Sequence, residues 1–136
     1  MKKTQPKRMT AVEIIDDVVK FYGKDPVNRR SADNFKCMYN HTDGKRHCAV
    51  GRYFTLEYKS DPVFDSFDSV FGLNNRYGSI DKLLIEKVRG HDMILWQDLQ
   101  MLHDEALYWD ENNGGLSKDG TKFVAKLKDK HGKKKN

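Results

Sequence analysis

Apolar residues fall at helical spacing through most of this chain. Val12, Ile15, Val19 and Tyr22 recur at intervals of three and four, which predicts a helix with one buried face. Thr10-Ala11-Val12-Glu13 has the form of a capping box, in which hydroxyl and carboxylate satisfy free backbone N–H groups at a helix start. Gly23 can end this helix, and Pro26 lies just beyond. Residues 27–34 are polar and read as a connection with at most a short helical turn. Asp61-Pro62 reads as a cap and first helical residue. Val63, Phe64, Phe67, Val70 and Phe71 then make a second stripe that stops at Gly72. The following LNNRYGS is a turn-rich linker. Ile80 to Arg89 is again amphipathic, with Leu83, Leu84 and Val88 inward. Leu95, Leu99, Leu102, Ala106 and Trp109 predict one long seam starting at Asp92 and ending at Asn112-Asn113-Gly114-Gly115. Thr121 is the expected cap of a last short helix carrying Phe123, Val124 and Leu127.

Only one stretch breaks the helical period. Between Cys37 and Gly51 two segments of β-formers flank Asp43-Gly44, a dipeptide suited to a tight turn. This predicts a hairpin with antiparallel strands near 35–40 and 46–50, with Cys37 and Cys48 facing each other as reduced thiols. A few short strands covered by helices give an α+β class, a mostly helical single domain packed around one short β-hairpin. The expected boundaries are a basic N-terminal tail over 1–9, a globular domain over 10–127 and a Lys-rich tail over 128–136.

The 136 residues suffice for one domain with a true core. Seven Phe, six Tyr and two Trp supply its bulky groups. No apolar run reaches membrane-span length, and no apolar segment follows the basic N-terminus as a secretory signal requires. The expectation is a cytoplasmic protein with no membrane partner. The net charge of +5 is unevenly placed: residues 1–8 carry +4, residues 118–136 carry +6, and the body between them carries −5. The basic character therefore belongs to the ends, where solvated tails account for it and a nucleic-acid contact is the alternative.

The landmarks Cys37-Met38-Tyr39, Cys48-Ala49-Val50-Gly51 and Leu99-Gln100-Met101-Leu102-His103-Asp104, followed by Trp109, resemble a group of small bacteriophage and bacterial proteins of uncharacterised activity. These share a C-x-Y element, a turn followed by C-A-[IV]-G, and a late L-Q-x-[IL]-H-D segment. The resemblance covers about residues 10–127. It implies a phage or mobile-element setting and brings no activity with it. Where such proteins commonly carry a Cys-Leu-Ile-type segment after the glycine, this chain has Arg52-Tyr53-Phe54.

Three constellations are candidates for chemistry. Cys37, His41, His47 and Cys48 are zinc-ligand types within twelve residues. Adjacent strand residues point to opposite faces, so His47 and Cys48 do not easily share an ion, and no metal or other cofactor is expected. Cys48, His103 and Asp104 are the types for nucleophile, base and orienter. A half-buried Cys48 and a structural His103 are the simpler account. Arg29, Arg30, Arg46 and Arg52 lie near Tyr39 and Tyr53 and suit a phosphate-bearing ligand: guanidinium forks take the phosphate and aromatic rings take a base. The expected function is a small accessory binding protein that interferes with host machinery or defence, either by sequestering a nucleotide-type ligand or by occupying a host protein surface. The competing classes are a cysteine-dependent enzyme and a nucleic-acid-associated protein using the basic tails.

Overall fold

Thr10 starts the first helix as its sequence predicts. Its Oγ1 accepts from the Glu13 N–H at 3.1 Å, and Glu13 Oε1 accepts from the Thr10 N–H at 2.8 Å. A computed structural model describes residues 7–30, 32–33, 36–37, 47–59 and 69–132. Its helices are α1 (Ala11–Gly23), α2 (Pro26–Arg29), α3 (Leu56–Lys59), α4 (Val70–Tyr77), α5 (Met93–Asp104) and α6 (Lys118–Gly132). Short 3-10 turns connect them at Gly51–Tyr53, Ile80–Leu83, Glu86–Val88 and Ala106–Tyr108. Helix α1 packs on α5 and α6, α5 packs on α4 and α6, and their inner faces build one core.

The α+β class is overturned: the described chain is helical and contains no sheet layer. Its β-type pairing is confined to a two-residue ladder, Ala32–Asp33 against Lys36–Cys37, and two isolated bridges. That ladder pairs Cys37 with Ala32 and not with Cys48. The expected turn at Asp43-Gly44 lies outside the described residues. Of the expected second strand, residue 46 lies outside the described residues, and 47–50 form no strand but lead through a turn into the 3-10 turn Gly51–Tyr53. Arg52 N–H donates to the Cys48 carbonyl, and Tyr53 N–H to that of Val50. Cys48 Sγ accepts from the Gly51 N–H at 3.5 Å, as a capping side chain does. Cys48, Ala49 and Val50 are all fully buried, which a strand with one solvated face does not allow. β-Forming composition was the weaker force here. The contact that decides the outcome comes from far along the chain: Gln100 Oε1 accepts from the Val50 N–H at 3.1 Å.

Three helices, α4, α5 and α6, differ from their expected limits. Residues 61–68, with the expected Asp61-Pro62 start, lie outside the described residues. Ser69 caps α4, which passes through Gly72 and stops at Gly78 with a left-handed backbone (φ 84°). The expected linker at 73–79 is therefore mostly helical, and Phe71 is exposed. Asp92 caps α5 as expected, yet the helix ends at Asp104, short of Trp109. Its last carbonyls find side-chain donors. Trp109 Nε1 donates to the Leu102 carbonyl at 2.8 Å, and Arg30 donates to those of His103 and Asp104. Leu95, Leu99 and Leu102 are buried as the seam requires, and Ala106 is exposed in the next turn.

Helix α6 begins before Thr121, at Lys118, with Ser117 Oγ accepting from the Gly120 N–H. A Cβ at Gly120 would stand 1.9 Å from the Tyr108 carbonyl oxygen, so only glycine permits this approach. The helix runs past the expected boundary at 127 to Gly132. Lys128 pairs with Asp16, and Lys130 and His131 with Asp98. No helix among the described residues is long and apolar enough to cross a membrane.

Candidate ligand-binding site

The buried side of α1 is formed by Ile14, Ile15, Val18 and Tyr22. Asp17 and Phe21, one helical turn apart, lie beside that seam and are only half buried. Two arginines converge on Phe21. The 3-10 turn Gly51–Tyr53 brings Arg52, whose Cζ lies 4.0 Å from the ring centroid. The end of α2 brings Arg29, with Cζ at 4.5 Å from the same centroid. Guanidinium groups favour such positions because the ring face carries negative potential.

Each arginine is also fixed by a hydrogen bond. Arg52 Nη1 donates to Asp17 Oδ2 at 2.8 Å, and the Tyr53 hydroxyl donates to the same oxygen. Arg29 Nη1 donates to the Phe21 carbonyl at 3.0 Å. Arg52 is thus neutralised locally. Arg29 has no carboxylate partner among the described residues.

The titration behaviour follows from these contacts. Burial pushes the Asp17 carboxyl up, but the hydrogen bonds from Tyr53 and Arg52 and the charge of Arg52 outweigh it and hold the group below its usual value. Burial lowers Arg52, and its bond to Asp17 more than restores it, so its guanidinium stays protonated. Tyr53 is pushed well above its ordinary range, first by burial and then by its bond to Asp17.

Of the expected ligand-binding residues, Arg29, Arg52 and Tyr53 come together around α1. Tyr39 and Arg46 lie outside the described residues. Arg30 does not join the site. It is buried, with Nε on the His103 carbonyl at 2.6 Å, Nη2 on the Asp104 carbonyl at 2.8 Å and Nη1 at 3.7 Å from Glu111. Phe21 and Asp17 were missed as members. Their signal was present: both fall off the face that Val12, Ile15, Val19 and Tyr22 define in the sequence, of which the structure buries Ile15 and Tyr22 together with Ile14 and Val18, and a large aromatic outside such a seam is a candidate contact.

The cysteine–histidine alternative is drawn together in the interior. His103 is fully buried, with Nδ1 2.8 Å from Asp104 Oδ1 and the Tyr22 ring edge-on at 4.9 Å. The Tyr22 hydroxyl donates to the His47 carbonyl, next to Cys48. Two of the three segments singled out in the sequence, Cys48–Gly51 and Leu99–Asp104, therefore meet in the core, through Gln100 and through Tyr22. Cys48 is itself fully buried, whereas a nucleophilic thiol needs access and an electropositive setting. No cluster of three or more His, Cys, Asp or Glu suited to a metal occurs among the described residues. His41 and the Cys37 side chain lie outside them. Comparison with protein-family models, with curated proteins and with solved structures gives no match.

Proposed function

We propose that this is a small binding protein that takes a phosphate-bearing, nucleotide-type ligand at Arg29, Phe21 and Arg52. The observation that carries the reading is a pair of guanidinium groups over one ring, with Arg29 lacking a carboxylate partner among the described residues. Both forks are held before any ligand arrives, Arg52 by Asp17 and Arg29 by the Phe21 carbonyl. Such preorganisation lowers the ordering cost of binding. A phosphate gains charge-assisted hydrogen bonds from the free edge of Arg29, and Arg52 contributes its field. The full burial of Cys48 and His103 supports binding over thiol catalysis. The resemblance to phage proteins supports a setting in which capture of a nucleotide signal blunts host machinery or defence.

Calorimetric titration of adenosine monophosphate and of inorganic phosphate into the full chain tests this. Arg29→Ala is expected to weaken nucleotide binding by about ten- to a hundredfold, the range of a hydrogen bond to a charged group. Cys48→Ala is expected to bind as the parent does. Unchanged binding in a folded Arg29→Ala protein, or its loss in a folded Cys48→Ala protein, overturns the proposal and, in the second case, restores the enzyme.

A further inference from the structure

The lysines of α6 fall into two sets. Lys128 and Lys130, the second in the same four-residue register as the row described next, are ion-paired with Asp16 and Asp98 at 2.5 and 2.9 Å. Lys118, Lys122 and Lys126 are exposed and have no ion-pair partner among the described residues. Their four-residue intervals put them in a row along one side of the helix, with a step of about 6 Å. That step is of the order of the separation between successive phosphates in an extended strand.

Beside this row lies a groove of about 330 Å³ between α6 and the Ala106–Tyr108 turn. Lys122 and Lys126 line it together with Leu107, Tyr108 and Phe123. The Tyr108 and Phe123 rings are stacked, with centroids 4.4 Å apart and planes 9° from parallel. Leu107 is 69% exposed. Two carboxylates, Glu105 and Asp119, complete the lining.

We infer that this groove binds single-stranded nucleic acid. Backbone phosphates would follow the lysine row and unpaired bases would pack against the Tyr108–Phe123 stack and Leu107. The arrangement combines the two elements such binding uses, a cationic track and a sequence-tolerant aromatic platform. Glu105 and Asp119 share this lining and repel phosphate, so the lysine contacts have to outweigh them. A duplex keeps its bases stacked inside and cannot present them to the platform. The inference is independent of the Phe21 site, because it shares no residue with it. It also differs from nonspecific attraction by the basic ends of the sequence, because the row lies on α6.

The test is fluorescence anisotropy of the full chain with a labelled deca-thymidylate strand, a duplex of equal length and a labelled deca-glutamate peptide, each at several salt concentrations. The strand is expected to bind most tightly. Lys122→Gln with Lys126→Gln is expected to lower the salt slope by about 1.4, the value for two lost phosphate contacts on a single strand. Lys128→Gln removes a paired lysine from another side of the helix and is expected to leave the slope nearly unchanged. Tyr108→Ala is expected to weaken strand binding by about tenfold with no change in slope, which separates stacking from charge. Thermal melting of each variant confirms that it is folded. A loss of slope per lysine in Lys128→Gln equal to that in the Lys122/Lys126 variant would mean diffuse attraction and overturn the inference. So would a preference for duplex, absence of strand binding, or tighter binding of the acidic peptide, which would indicate a protein partner instead.

Discussion

Arg29 and Arg30 are neighbours in the chain and serve opposite ends. Arg30 is buried and its donors go to the carbonyls that close α5, those of His103 and Asp104. Arg29 keeps its guanidinium on a half-buried ring, held only through the Phe21 carbonyl. The first region is saturated with internal partners, and the second has capacity left over. The comparison teaches that a guanidinium's availability is set by which backbone groups lack partners nearby, and not by charge density along the sequence.

The strongest way to break this contrast is Arg30→Ala. It leaves two carbonyls near the end of α5 without their donors, and a loss of about 2–4 kcal/mol is expected from urea unfolding. A loss under half that would place Arg30 among the spare cations. Arg52→Ala is intermediate: it removes a partly exposed ion pair and two ring contacts, and about 1–2 kcal/mol is expected by the same measurement. Acid titration sharpens the middle case. Asp17 is held below its ordinary value of 3.8, so its contribution is complete above that pH and is lost as pH falls through the lower folded value. Melting temperature followed downward from pH 5 should therefore drop less steeply in Asp17→Asn than in the parent. A parallel fall in the two proteins would show that the carboxylate is not specially stabilised. Arg29→Ala is expected to move stability least, by about 0.5–1 kcal/mol for one part-buried hydrogen bond and one ring contact, while carrying the largest loss in nucleotide binding. A stability cost comparable with that of Arg30→Ala would erase the distinction.

What could be foreseen from residue order was local. The Thr10–Glu13 box, the Asp92 cap and the Leu95, Leu99, Leu102 seam each need only residues within about one turn of one another. The Cys48–Gly51 turn needs Gln100, fifty positions away by the chain numbering, and its β-forming residues pointed elsewhere. The end of α5 depends on Arg30 and Trp109 reaching back to its carbonyls, so the apolar period alone ran the helix on to Trp109. At the site, Arg29, Arg52 and Tyr53 were legible as types. Their grouping was not, because Phe21 and Asp17, which join them, belong to a different helix. Adjacent Arg29 and Arg30 carry no local mark that separates them.

The pairing of the first helix with the last has a consequence for how the chain is made. Lys128 reaches Asp16, and a Cβ at Gly132 would touch Val12. These contacts join segments more than a hundred residues apart in the sequence. During synthesis the inner face of α1 emerges first and waits while about a hundred further residues are added, on the order of five to twenty seconds at ordinary elongation rates. Closure of so long a loop is entropically slow and cannot begin before α6 has left the ribosome. The inner face of α1 therefore lacks the cover that α6 provides for that interval. The tight seat of Gly120 against Tyr108 makes the last helix a selective closing piece: any side chain there delays the step that completes this cover.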